Sequence, residues 1–285
     1  METSLVTAPS THPSMSQAPN PLAHPRLWDL VSEGYTREIA PHLAKYAADA
    51  LRLAGVGPGM LIADVACGPG ALALAAARSG ARVRAIDFSP EMIARLRESA
   101  LREGTTTVEA RVGDGMALPY ADGSVDAAFS MFAVMFYSDR AKGMRELWRI
   151  LKPQGRAGVA SWAPVERVPV LADIYRILVA VLPDQPFKAT NPPLGDAAVF
   201  RAEMEEAGFR DVDVCEVTHT FEASSVDEFW TAFERSTPPI CAVREKVGPE
   251  RWPEVVGRLL DDLHARWGTG PQGVPMIANL AIGRR

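Results

Sequence analysis

Met60-Leu61-Ile62-Ala63-Asp64-Val65-Ala66-Cys67-Gly68-Pro69-Gly70 is a short apolar run that stops in a glycine turn, and an Ala- and Leu-rich segment follows it to Ser79. A brief apolar run bounded by turn residues reads as a buried strand, and the segment after the turn reads as a helix. In open parallel sheets, ligands bind beyond the carboxyl ends of the strands. Glycines at such an end let the backbone approach a ligand closely and turn tightly into the helix.

Downstream, Arg82 to Asp87 is again strand-like, and Ser89-Pro90 opens a helix with a capping hydroxyl and a proline at its first position. Twenty-three positions separate Asp64 from Asp87. A carboxylate at the second strand end can accept both hydroxyls of a ribose. Gly68-Pro69-Gly70-Ala71-Leu72-Ala73 also fits the dinucleotide fingerprint G-x-G-x-x-A. These two motifs point to a nucleoside-containing cofactor and leave an NAD(P)-dependent oxidoreductase open.

The alternation continues with strands expected over 106–112, 125–130, 155–162, 211–221 and 275–282, and helices over 138–151 and 196–207. The reading is an α/β fold with a doubly wound, mainly parallel seven-stranded sheet, Rossmann-like in plan. Upstream, a short helix is expected over 26–34 and a longer one from Tyr35 to Ala54, with Pro41 marking a kink or its true start. The stretches 163–193 and 226–273 interrupt the rhythm, look partly helical, and are candidates for a cap over the site.

The chain has 285 residues, 47% of them hydrophobic, enough for a substantial core in one domain over 25–285. Residues 1–24 lack Lys and Arg, are rich in Ser, Thr and Pro, and read as a disordered, dispensable tail. The formal charge is −5, and the basic residues are scattered, so nucleic acid is not an expected partner. No apolar run is long enough for a membrane span. The three widely spaced cysteines suggest neither disulfides nor a metal site, as in a reducing cytoplasm.

Two further segments sharpen the reading. One is Gly113-Asp114-Gly115-Met116-Ala117-Leu118-Pro119-Tyr120, leading into Gly123-Ser124-Val125-Asp126; the other is Arg145-Glu146-Leu147-Trp148-Arg149-Ile150-Leu151-Lys152-Pro153-Gln154-Gly155. Together with 64–70 and 85–89, they resemble, in order and spacing, the class I S-adenosylmethionine-dependent methyltransferases, the seven-stranded group that includes quinone-biosynthesis methylases. Two departures stand out. Ala66 and Gln154 occupy positions where the family usually has glycine.

The resemblance implies S-adenosyl-L-methionine as cofactor and roles by position. Asp64 would organise the turn and the methionine ammonium, with Ala66, Gly68 and Gly70 bringing backbone beside the methionine portion. Asp87 and Phe88 would lie at the ribose, Asp114, Gly115 and Met116 at the adenine, and Ser130 at the methionine end. It also implies that the helices over 26–54 form a lid. Trp28 and Tyr35 there, with Phe132, Met135 and Trp162, suggest a small apolar or aromatic methyl acceptor. No general base is assigned, because His219 reads as a structural strand histidine. The oligomeric state is open. A catalytically silent binding protein on the same fold is the other alternative.

Overall fold

The computed structural model describes residues 20–183 and 192–285. Seven strands form one sheet in the order β3-β2-β1-β4-β5-β7-β6. They are β1 (Leu61–Val65), β2 (Arg82–Asp87), β3 (Val108–Val112), β4 (Val125–Met131), β5 (Leu151–Trp162), β6 (Arg210–Ala223) and β7 (Gln272–Arg284). The first five run parallel, and β7 lies antiparallel to both β5 and β6. The strand order reverses beside β1, between β2 and β4, which opens a crevice at their carboxyl ends.

Both faces of this sheet are covered. On β1, Ile62 packs with one apolar cluster while Ala63 and Val65 pack with the other. This is the two-residue period of a strand buried on both sides. The first face carries α2 (Ala40–Ala54), α3 (Ala71–Arg78) and α4 (Pro90–Arg102). The second carries α5 (Arg140–Ile150) and α7 (Ala197–Glu206). Local chemistry sets several ends. Ser89 Oγ accepts the Met92 N–H at 3.1 Å to cap α4, and Asp139 accepts the Lys142 N–H at 2.8 Å to cap α5.

Helix α5 ends at Ile150, and β5 begins at once with Leu151 paired to Val125, four residues earlier than the proline at 153 suggests. Pro153 thus sits in the first turns of an extended segment rather than terminating a helix.

The upstream helices form one bent rod. Helix α1 (Pro25–Gly34) runs into a π-turn over Tyr35–Ile39 and then into α2. Pro41 supplies the cause. It has no N–H to donate, and its ring would clash with the carbonyl four residues back in a regular helix. The chain widens instead, and the Ala40 N–H reaches five residues back to Tyr35 O.

Of the expected tail, residues 1–19 lie outside the described residues. Asn20 to His24 are ordered as a single 3-10 turn over Pro21–Ala23 leading into α1, which corrects the boundary at 24.

The two interrupting stretches fold onto each other. Helices α6 (Pro169–Val181), α8 (Val226–Ser236), α9 (Pro238–Val247) and α10 (Trp252–Trp267) enclose a separate apolar cluster built around Ile174, Phe229, Trp230 and Leu259. Residues 184–191 of the first stretch lie outside the described residues.

Candidate active site

The crevice beside β1 is a cavity holding about 710 Å³ of non-atom space, its mouth included. Its floor comes from the ends of the first strands. Asp64 closes the β1 end, fully buried, and its Oδ2 accepts the Ala73 N–H at 2.9 Å, which fixes the start of α3. Asp87 ends β2, 5% exposed, and its two oxygens accept N–H groups from Gly68 at 2.8 Å and Ser89 at 2.9 Å. Each of those oxygens keeps lone-pair capacity beyond its one backbone bond. Beyond β3, the Asp114 carboxylate accepts the Met116 N–H at 2.8 Å and lines the cavity.

Burial governs the electrostatics here. It pushes Asp64 up to about 7, an effect the Ala73 N–H opposes and the nearby Asp87 reinforces. It pushes Asp87 up to about 6, opposed by the Ser89 and Gly68 N–H groups and reinforced by Asp29. Such a pair favours a cation and hydroxyl donors in the crevice.

The turn between β1 and α3 uses left-handed backbone at Ala66 (φ 55°), Gly68 (φ 54°) and Gly70 (φ 93°). A side chain at Gly70 would run into Leu96 of α4, so this glycine serves the packing of the turn. At Gly68 a Cβ would meet nothing within 4 Å, and the cost there is conformational only. Ala66 holds this positive φ with a side chain, at the position where the family usually has glycine.

The opposite wall is aromatic. Trp28 and Tyr35 from the bent rod meet edge to face with centroids 6.2 Å apart, and Trp28 meets Phe136 at 5.4 Å. The Trp28 Nε1–H donates to Leu22 O at 3.0 Å, which draws Leu22 and Ala23 into the cavity wall. Phe132 also lines it, from a backbone at φ 60°. A bulky residue in that region is strained, and its ring is held by stacking on Trp162 at 4.0 Å and against Tyr46 at 5.2 Å. A smaller cavity of about 370 Å³ adjoins, sharing Tyr35, Ala66, Gly68 and Met131 and reaching Asp64. No Lys, Arg or His lines either cavity among the described residues.

A methyltransferase domain family matches residues 63–159. An uncharacterised Mycobacterium tuberculosis protein is 39% identical over 109 residues, 38% of this chain and 39% of that one. The demethylmenaquinone methyltransferase of Corynebacterium kroppenstedtii is 37% identical over 152 residues, 53% of this chain and 62% of that one. Both matches cover less than two thirds of those relatives. The ubiquinone/menaquinone biosynthesis C-methyltransferase UbiE of a Geobacter species is 30% identical over 205 residues, 65% of this chain and 84% of that one. The chain belongs to the class I S-adenosylmethionine-dependent methyltransferases. The fold is shared more widely, for the [4+2]-cyclase SpnF superposes at a TM-score of 0.56 with 19% identity over 91% of this chain and 94% of that one.

In a class I methyltransferase the residues expected at the cofactor separate by position. Ala66, Gly68, Asp87, Phe88, Asp114, Gly115 and Met116 line the large cavity, and Asp64 lines the smaller one with Ala66 and Gly68. Gly70 and Ser130 line neither; Ser130 is fully buried on β4. Of the acceptor residues expected, Trp28, Tyr35 and Phe132 are on the wall, whereas Met135 and Trp162 are packing behind it. Met135 takes the Ser161 hydroxyl on its sulfur at 3.4 Å, and Trp162 backs Phe132. Among the described residues, the interrupting stretches contribute no side chain to either cavity lining. They support α1 from behind instead, through Arg26 to Glu245 at 2.8 Å and through Gly34, where any Cβ would strike the Arg235 backbone.

Sequence reasoning missed Leu22, Ala23, Phe136, Tyr137 and Asp29. Phe136 and Tyr137 belong to the apolar stretch Met131–Tyr137 that holds Phe132 and Met135, and only the geometry separates wall from packing there. His219 pairs with Asp49 at 2.9 Å between β6 and α2, a structural role.

Proposed function

We propose that this protein transfers a methyl group from S-adenosylmethionine to a small, apolar, aromatic acceptor of quinone-like ring type. The observation that carries the reading is the division of one cavity into a carboxylate side and an aromatic side. The relatives named for demethylmenaquinone and ubiquinone/menaquinone biosynthesis support a ring of that kind.

The residues present fit the cofactor. Asp87, with lone pairs left over from its two backbone bonds, would hold the ribose hydroxyls, and Asp114 would hold the adenine amine. Asp64 would face the methionine ammonium. When bound, the cofactor supplies an electrophilic methyl group on a sulfonium. The chain's own contribution is placement and exclusion of water. Trp28, Tyr35, Phe132 and Phe136 offer flat apolar surface on which an acceptor ring stacks. Burial and the nearby Asp87 carboxylate push the Tyr35 phenol above its ordinary value, so it stays protonated and serves as a hydrogen-bond donor. Among the described residues the wall carries no histidine or lysine, so the proton that the acceptor loses on methylation passes to water. The acceptor therefore arrives electron-rich, as a hydroquinone or phenol ring.

The test is transfer of an isotopically labelled methyl group to a panel of reduced quinols, phenols and amines, read by mass spectrometry. Label on the ring compounds supports the reading. Label on amines alone refutes the acceptor class, and bound cofactor with no transfer to any compound supports the silent alternative.

A further inference from the structure

Helix α1 carries an acidic residue that the chemistry above does not use. Asp29 Oδ1 accepts the Ser89 hydroxyl at 2.5 Å and lies 3.4 Å from the Glu91 N–H, placing a carboxylate at the N-terminus of α4. That position favours an anion on helix-dipole grounds alone. Ser89 is also the residue whose N–H fixes Asp87. One side chain of the rod is thus two bonds away from the carboxylate at the ribose position, and the neighbouring Trp28 is on the aromatic wall.

The apolar contacts of α1 hold it down without fixing where it sits. Leu27 and Val31 are buried against Met92 and Cys241. Such burial acts by removing apolar area from water, and the force is non-directional. A hydrogen bond to a charged group is directional, and it sets the helix register along α4.

We infer that Asp29 is a positioning residue, and that its bond to Ser89 couples the placement of the Trp28 wall to occupancy of the cofactor site. The inference rests on the cofactor reading given above. A ligand that engages Asp87 stiffens the Ser89 end of α4, Asp29 passes this to α1, and the wall is set for the acceptor. Removing the bond leaves α1 attached but free to shift.

The experiment uses the full chain with S-adenosylhomocysteine, followed by calorimetry and by hydrogen exchange of the α1 amides. In the wild type, ligand slows exchange across residues 28–34. Asp29→Ala removes that ligand-dependent protection and weakens S-adenosylhomocysteine by about tenfold. Asp29→Asn keeps an acceptor for the Ser89 hydroxyl and restores the protection, which a merely structural charge would not predict. Ser89→Gly removes the hydroxyl from the other side, and glycine is itself well tolerated at a helix N-cap. It keeps the test decisive if Asp29→Ala does not fold.

Protection retained in Asp29→Ala or in Ser89→Gly overturns the coupling, as does failure of Asp29→Asn to restore it. A wild type that binds no S-adenosylhomocysteine refutes the cofactor reading itself, and is distinguished from the other outcomes by the calorimetry.

Discussion

The two sides of the cavity are built by different means. The side proposed for the cofactor is made of strand ends: Asp64, Asp87 and the turn at 66–70, held by backbone hydrogen bonds within two adjacent βα units. The aromatic side is assembled from three separated segments, the turn at 21–23, the rod at 25–39 and the loop after β4. Its rings are held by stacking and by one strained backbone at Phe132. A side fixed by backbone tolerates change poorly and recognises one ligand. A side fixed by packing can be re-cut for a different acceptor while the cofactor site stays as it is.

The largest expected effect is on the cofactor side. Asp87→Ala should weaken S-adenosylmethionine by ~2–3 kcal/mol, the range for hydrogen bonds to a charged group, about 30- to 150-fold. It also orphans the Gly68 and Ser89 N–H groups. Calorimetry at wild-type affinity would break the division at its root. On the aromatic side the effect should fall elsewhere. Trp28→Ala should lower methyl transfer about tenfold or more through lost placement, with cofactor affinity changed about threefold at most. Equal losses in both would mean that the two sides act as one.

A smaller effect concerns protons. The folded protein holds Asp87 at about 6 and Asp64 at about 7, above the ordinary carboxylate value of ~3.9. The folded state therefore binds these protons more tightly than the unfolded one. Their contribution to stability is complete below the ordinary value and is lost as pH rises through about 6 to 7. A cationic cofactor with hydroxyl donors prefers both groups ionised. Its binding should release protons near pH 6 and almost none at pH 8. Calorimetry in two buffers of different ionisation enthalpy reads this directly, and no release at pH 6 would remove the carboxylate pair from the binding reaction.

The smallest expected effect comes from Ala66. A left-handed alanine costs roughly 1–2 kcal/mol, and glycine gives part of that back through unfolded-state entropy. Ala66→Gly should stabilise the fold by about 0.5 kcal/mol without weakening cofactor binding, measured by denaturant melts. A clear loss of stability would show that the strain is relieved elsewhere.

The same contrast explains what could be read in the sequence. The sheet was legible because buried parallel strands are short apolar runs, and the cofactor side because its residues lie within a few positions of those strand ends. Ser89-Pro90 announced α4 from local capping chemistry alone. The aromatic side was legible only as composition. Met135 and Trp162 look no different from Phe132 in a sequence, yet they pack behind it. Which ring faces the cavity is decided by the φ of one residue and by contacts between segments over a hundred positions apart. The interrupting stretches misled for a related reason. Helical pattern marks an apolar face without naming its partner, and here each face found the other.

No helix among the described residues is long and apolar enough to cross a membrane.

The most direct test of the divided cavity is a crystal structure with S-adenosylhomocysteine bound. The ribose hydroxyls should lie within hydrogen-bonding distance of Asp87, with the thioether sulfur turned toward Trp28, Tyr35 and Phe132. A nucleoside seated against the aromatic wall, or a sulfur facing away from it, would contradict the account.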